Sequence, residues 1–419
     1  MKETTLPDRM NTYFNQAAQL LQLTPKAKNI IKKNDNEITF HFPAIMDNGD
    51  LIMITGYKIQ HNNILGPYKG SLHYLPLSDK RIMQALAMLK TWKAAVMDIP
   101  MGGSAGVVFI DPSLFSFAEL ERITRRYIFD LGLNIGPEYD IVEPGINTNS
   151  QIMAWVHDTY LLSFPPHERN LYTHIATGKP VALGGSLGSD KAPGQTIYTI
   201  IKEWQQDRGK DLSKLTFMMQ GFGNTGYWVS SLLCKNGAKF IGLEDKHCSI
   251  FNPSGMDPED IISYIQTHRS IKGYARAQEI DHESFISKKA TVLILAAAEN
   301  QINKKTVSLL NTDLIIDGID NSTDGKCSIL LHKKGIEHIP DIFSNTGLEI
   351  IGYFEWLQQK RSEKWNLSQV NDKISRRVIS AFHQVKQKKE QFNTDWKTAA
   401  YVTALSRIDR ALSALPLYP

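Results

Sequence analysis

The stretch from Leu215 to Asp245 limits the possible folds more than any other. An apolar run, Leu215 to Met219, leads into Gly221-Phe222-Gly223-Asn224-Thr225-Gly226. A helix-like run follows from Tyr227 to Asn236, and a second apolar run, Phe240 to Leu243, ends at Glu244 and Asp245. Gly-x-Gly-x-x-Gly alone recurs in many turns. A strand before it, a helix after it and a second strand ending in an acid make the context of a dinucleotide-binding unit. The first glycine permits a tight turn, the second lets a pyrophosphate approach the backbone, and the third lets helix and strand pack closely. The helix N-terminus favours the anion. The candidate cofactor contacts are therefore Gly221, Gly223, Asn224, Thr225, Gly226 and Asp245. An acid at Asp245 accepts ribose hydroxyls and repels a 2′-phosphate, so NAD is expected over NADP, although Lys246 and His247 work against that preference.

The alternation continues on both sides. Gln195 to Gln206 is helical, with Pro193 suited to a first-turn position. Thr291 to Leu295 and Leu314 to Ile316 read as further strands, the rhythm of a doubly wound parallel sheet. From Pro340 onward the pattern is helical, broken near Ser362 and Phe392. The first half reads as a separate α/β unit. Pro7 to Leu23 is an amphipathic helix, and strands at Ile38 to Ile45 and Leu51 to Ile59 flank an Asn-Gly hairpin signal at Asn48-Gly49. Asp79 caps a helix running to about Val96. Gly106 to Ile110 is a short strand, Phe117 to Leu131 a helix, and another helix begins near Asn149. A chain of 419 residues, 42% hydrophobic, is long enough for two domains with separate cores.

Within that first unit, Gly66 to Val108 gathers the chemistry-bearing side chains. A Lys-Gly turn at Lys69, a helix carrying Lys90 and Lys93, and a glycine-rich turn from Pro100 to Gly106 form a candidate pocket for a small anionic molecule.

Composition excludes other classes. Net charge is +4, from 47 basic and 43 acidic residues, with no long basic block, so nucleic acid is not an expected partner. The three cysteines are widely spaced, as expected of reduced thiols, with no metal-ligand cluster around them. The N-terminus lacks a signal-peptide core. The most apolar run, Ala290 to Ala298, is about half the length of a membrane span. A cytoplasmic protein without membrane association is expected.

Eight runs in order resemble the Glu/Leu/Phe/Val dehydrogenase family, glutamate dehydrogenase most closely, over roughly Asp35 to Gln359. They are GPYKG at Gly66, LAMLKTWK ending at Lys93, PMGG at Pro100, INTNSQIMAW at Ile146, TGKPVALGGSLG at Thr177, QGFGNTG at Gln220, AAAENQI at Ala296 and YFEW at Tyr353. The resemblance implies an α/β architecture of two domains. An N-terminal substrate-binding and oligomerisation domain spans 1–193, a Rossmann-type doubly wound dinucleotide-binding domain spans 194–355, and C-terminal helices over 356–419 pack back on the first domain. It implies a cleft between the domains, a homo-oligomer, commonly a hexamer, and Asn300 as a further cofactor contact.

Residue by residue, the resemblance also marks departures. Lys69 and Lys93 match the two lysines that bind substrate carboxylates. The catalytic lysine of Pro-x-Gly-Gly-Ala-Lys-Gly is replaced by Ala105. The proton-transferring aspartate of Ala-Pro-Asp-Val-Asn-Thr is replaced by Gly145, in a stretch that begins at Glu143. A substrate-contacting serine matches Gly352, a pocket methionine matches Lys90, a pocket valine matches Glu349, and an arginine matches His73. An arginine and a threonine near the cofactor match Ser189 and Pro193. No catalytic residue is therefore assigned, and Lys69, Lys90, Lys93, Glu349 and Gly352 line the expected pocket.

Two readings follow. In the first, the fold and NAD(H) binding persist, oxidative deamination is lost, and the role is regulatory or directed to a protein partner. In the second, an active NAD(P)-dependent amino-acid oxidoreductase uses a rebuilt pocket, with Lys90 supplying an amine and Glu349 or Glu143 a base. The simpler alternative for Lys90 and Glu349 is a salt bridge that fills the emptied space, with Glu143 exposed and His73 packed.

Overall fold

The computed structural model describes residues 5–76, 79–299, 301–323 and 327–415. It is an α/β protein with two sheets, and the chain divides into two compact units. The first comprises Met1–Ser189, Glu349–Val370 and Ala404–Pro419, and the second Asp190–Leu348 and Asn371–Thr403.

The first unit opens with helices α1 (Leu6–Leu20) and α2 (Pro25–Lys32). Strands β1 (Asn36–Ile45), β2 (Leu51–Asn62) and β3 (Tyr68–Leu75) follow, then α3 (Lys80–Val96), β4 (Gly102–Phe109), α4 (Phe117–Leu131), β5 (Asp140–Pro144) and α5 (Ser150–Leu162). The strands form one sheet in the order β1, β2, β4, β3, β5. β1, β2 and β4 pair antiparallel, while β3 runs parallel to β4 and β5. Asp79 caps α3 by accepting from the Arg81 amide, and Ser116 with Glu119 makes a capping box on α4. One face of the sheet packs Leu72, Tyr74 and Val108 against Ile123, Tyr127 and Ile128 of α4 and Ile152, Met153 and Val156 of α5. Each such buried side chain contributes about 1.5–3 kcal/mol. The opposite face lies under α3, where Met83 and Ala87 pack on Tyr57, Ile59, Ala105 and Val107.

Two expected turns are strands. Lys69 lies inside β3, and β4 begins at Gly102, so Ala105 is mid-strand instead of ending a glycine turn. The glycines serve close approach. A Cβ at Gly70 would collide with the Ser104 carbonyl, and one at Gly103 with the Ala87 carbonyl and the Thr91 amide of α3.

In the second unit, α6 (Ala192–Gln206) carries Pro193 in its first turn. β6 (Thr216–Gln220), α7 (Asn224–Lys235), β7 (Lys239–Glu244), β8 (Ser249–Phe251), α8 (Pro258–His268), β9 (Gln278–Ile280), α9 (His282–Ser287) and β10 (Ala290–Leu295) follow. Next come α10 (Lys304–Leu309), β11 (Thr312–Asp317), α11 (Ser328–Lys333), β12 (Glu337–Ile339) and α12 (Asp341–Ser344). The sheet order is β12, β11, β10, β6, β7, β8, β9. The first five run parallel, and β8 and β9 add antiparallel pairs. β6 lies between β10 and β7, so the topological switch point falls at its carboxyl end, beside Gly221.

Three long helices close the chain: α13 (Gly347–Lys360), α14 (Leu367–Gln391) and α15 (Trp396–Ala414). Residues 349–370 and 404–415 belong to the first unit, whereas 371–403 pack in the second. There the Gln195 side chain donates to Asn371 O and Ser375 Oγ, and Phe382 meets Phe343 and Trp396. Among the described residues, no helix is long and apolar enough to cross a membrane.

Candidate functional site

Period-2 alternation puts Lys69, Ser71 and His73 of β3 on one face of the first sheet. Register then aligns a row across four strands. Ile59 pairs with Ala105, Ala105 with Ser71, and Ser71 with Glu143. α3 covers this face and delivers Lys90, while the first turn of α13 delivers Glu349.

The side chains meet in one charged cluster. Glu143 is the hub. Lys69 Nζ donates to its Oε2, Ser71 Oγ donates to Oε1 at 3.3 Å, and Lys90 Nζ lies 2.6 Å from Oε1. Lys90 Nζ also donates to Glu349 Oε1 at 2.8 Å. Glu143, Lys69 and Glu349 are only 4%, 5% and 6% exposed. Two ammonium groups thus meet two carboxylates. Burial pushes the Glu143 carboxyl up, but the charges of Lys69 and Lys90 outweigh it and hold the group down at about 2. Burial pulls Lys90 down, and Glu143 and Glu349 outweigh it and raise it above the usual lysine range. The cavity left among Lys69, Lys90, Met101, Gly102, Glu143 and Glu349 is about 10 Å³, room for no more than about one water.

The expectation that Glu143 is exposed is therefore overturned. Its alternation with Val142, which packs in the core on the opposite face, and its register with Ser71 turn it inward. The cluster unites Lys69, Lys90 and Glu349. Gly352 touches it, since a Cβ there would lie 2.7 Å from Lys69 Nζ and 3.2 Å from Thr177 Oγ1. Lys93 is buried one turn beyond Lys90. Ala105 lies in the same sheet row but packs in the apolar group under α3. Gly145 follows β5, and its amide donates to Thr148 Oγ1 at 2.7 Å. His73 accepts from the Ile146 amide at Nδ1, 3.0 Å away. Burial, reinforced by Lys90, pulls His73 down to about 4, so the ring is neutral at physiological pH.

Sequence reasoning missed two further features. Thr177 Oγ1 is buried without a hydrogen-bond partner among the described residues. Glu355 forms a buried ion pair with Lys179 at 2.8 Å and accepts from the amides of Gly178 and Ser186.

In the second unit the glycine signature has the required shape. Gly221 has φ +84°, and a Cβ on Gly226 would lie 2.8 Å from Gly221 O and 2.9 Å from Met219 Sδ. A Cβ on Gly223 would meet nothing within 4 Å, leaving that backbone open to approach. Gly223 caps α7, with Asn224 and Thr225 in its first turn, and the Asn224 side chain donates to Asp190 O. These residues fit a pyrophosphate.

β7 ends at Glu244, and Asp245 follows it directly. Glu244 accepts from Gln220 at 2.5 Å and Ser249 at 2.6 Å. Asp245 accepts from the amides of His247, Cys248 and Ile271 and from Ser270 Oγ. Burial pushes its carboxyl up, and these hydrogen bonds outweigh it and hold the group below the usual range. Asn300 lies outside the described residues.

Residues 184–415 match the family model described as Glutamate/Leucine/Phenylalanine/Valine dehydrogenase, and residues 34–161 match that of the Glu/Leu/Phe/Val dehydrogenase dimerisation domain. The chain is 34% identical over 420 residues to the glutamate dehydrogenase of Thermotoga maritima, covering 100% of both. It is 35% identical over 387 residues to NAD-specific glutamate dehydrogenase A of Halobacterium salinarum, covering 92% of this chain and 87% of the relative. The crystal structure of hetero-hexameric glutamate dehydrogenase from Thermus thermophilus, in its leucine-bound form, is similar with a TM-score of 0.88 and 28% identity. That likeness covers 99% of this chain and 98% of the other. On these matches the chain belongs to the Glu/Leu/Phe/Val dehydrogenase family.

Proposed function

We propose that this chain is a non-catalytic member of its family with respect to oxidative deamination of glutamate, acting through binding as a regulatory subunit. The observation that carries the reading is the Lys69–Glu143–Lys90–Glu349 cluster, which fills the space among these side chains with the chain's own charges. By resemblance, the catalytic lysine and aspartate positions hold Ala105 and Gly145, and neither side chain exchanges a proton. Loss of one general acid or base lowers rates by about 10²–10⁴-fold. The glycine cradle at Gly221–Gly226 supports retained NAD(H) binding. When bound, that group supplies hydride chemistry; this chain's backbone amides and the first turn of α7 would hold its pyrophosphate. A family-type oligomer is part of the reading, and a relative described as hetero-hexameric supports assembly with a second kind of subunit.

The rebuilt-enzyme reading has less support. A general base works best with a pKa near the operating pH. Glu143 is held at about 2, and Lys90 is held charged by its two carboxylates. The test is a turnover assay with glutamate and NAD or NADP, and with 2-oxoglutarate, ammonium and the reduced cofactors. No turnover above background is expected. A rate comparable to that of the Thermotoga maritima enzyme would overturn the proposal, and loss of that rate in Lys90→Met would favour the rebuilt pocket.

A further inference from the structure

Four elements, β3, β5, α3 and α13, each place one charge in the cluster, and the carboxylate of Glu143 is the group that engages both ammoniums. An anion held by two lysines and a serine hydroxyl is what a carboxylate ligand in such a seat would be. Two further observations concern the surroundings of the Lys69 ammonium. Gly352 is the only residue type that leaves Lys69 where it is, because any Cβ there would lie 2.7 Å from Nζ and 2.8 Å from Cε. Thr177 Oγ1, within 3.2 Å of that same Cβ position, is buried without a partner among the described residues. Buried hydroxyls are rarely left unpaired, and this one is a spare hydrogen-bonding group beside the lysine.

We propose that Glu143 is a resident carboxylate that occupies the anion seat of Lys69 and so sets the specificity of this pocket against free carboxylate ligands. The proposal deepens the non-catalytic reading of the same site and rests on it. Its prediction is that removing the Glu143 side chain, and not merely loosening the fold, turns the pocket into a carboxylate site. The vacated volume and the released ammonium of Lys69 then act together.

The probe is glutarate, an unreactive dicarboxylate, added to the full chain at constant ionic strength and followed by calorimetry and thermal melts. The native protein should give no binding heat and no change in Tm. Glu143→Ala should have a lower Tm that glutarate raises, because a ligand that binds only the folded state stabilises it. Its affinity should exceed that of the native protein by at least about tenfold. Lys69→Met combined with Glu143→Ala should lose the response. If Glu143→Ala does not fold, Glu143→Ala with Lys90→Met leaves one ammonium against one carboxylate and carries the same prediction.

Equal binding by native and variant proteins would overturn the proposal. So would a folded Glu143→Ala variant that ignores glutarate, or binding that survives loss of Lys69. These outcomes are independent of the turnover assay, so failure of this inference is separable from failure of the non-catalytic reading.

Discussion

At Lys90 one ammonium is shared between Glu143 Oε1 at 2.6 Å and Glu349 Oε1 at 2.8 Å. Buried charges are tolerated when paired, and removing one partner of a buried pair costs about 3–5 kcal/mol. Lys90→Met should therefore lower unfolding free energy in denaturant titrations, towards the low end of that range because the Lys90 side chain is 21% exposed. An aspartate at residue 145 is opposed by sterics. A Cβ on Gly145 would lie 2.7 Å from the His73 ring and 2.8 Å from the Leu72 carbonyl. Gly145→Asp should destabilise by about 1–3 kcal/mol. With Ala105→Lys added it should still show no glutamate turnover, since residue 105 faces apolar neighbours.

The titrating groups have a definite sign. Burial pulls His61 down to about 3 and His73 to about 4, against 6.5 for an ordinary histidine. The unfolded chain gains these protons first, so stability is full above about pH 6.5 and falls as pH drops towards 4. The depressed Glu143 carboxyl adds stability that is present above its ordinary value of 4.5 and lost as pH falls towards 2. Denaturation midpoints measured across acid pH should decline in that order, with the histidine loss first. A midpoint unchanged between about pH 7 and pH 4 would contradict the neutral, buried histidines.

Elements decide where these residues point. β4 approaches β3 so closely at Gly70, and α3 approaches β4 so closely at Gly103, that neither position has room for a Cβ, which is why a reading of these glycines as turns misplaces Lys69 and Ala105. Glycine marks both turns and close approach, and local sequence does not separate them. The segment from Gly178 to Ser186 is held from outside by α13. Glu355 accepts from the amides of Gly178, Lys179 and Ser186 and from Lys179 Nζ. Burial pulls the Lys179 amine down further than Glu355 restores it, so this pair is strongly desolvated. Glu355→Gln should leave the three amides less protected in hydrogen exchange while the β-strands of the first sheet keep their protection. Unchanged exchange at those amides would show that α13 does not hold the segment.

At the scale of the molecule, each unit has its own sheet and core, and the chain joins them at 189/190, 348/349, 370/371 and 403/404. The proposed NAD(H) cradle lies in the second unit and the charged cluster in the first. NADH should bind in calorimetry and raise the Tm of the native chain. Gly226→Val, whose side chain would press on Gly221 O and Met219 Sδ, should abolish both effects. Binding that survives this substitution would remove the glycine turn from the nucleotide site.

The family, the α/β class and the glycine signature at Gly221–Gly226 were legible in the sequence. All are carried by local motifs and by apolar periodicity, which one chain displays along its length. Pairing was visible only as an option: Lys90 and Glu349 read as a salt bridge or a new catalytic set. Tertiary structure decided that Glu143 joins them. Its contact with Lys69 spans 74 positions in the chain, and that of Lys90 with Glu349 spans 259. Such contacts depend on strand register and on the helix that covers the sheet. Asp245 gives the same lesson in reverse, since its carboxylate is taken up by amides of the loop that follows β7 and of the segment that follows α8. Charge is legible in a sequence, but its partner is set by geometry, because a buried charge takes whichever opposite charge the fold brings within reach.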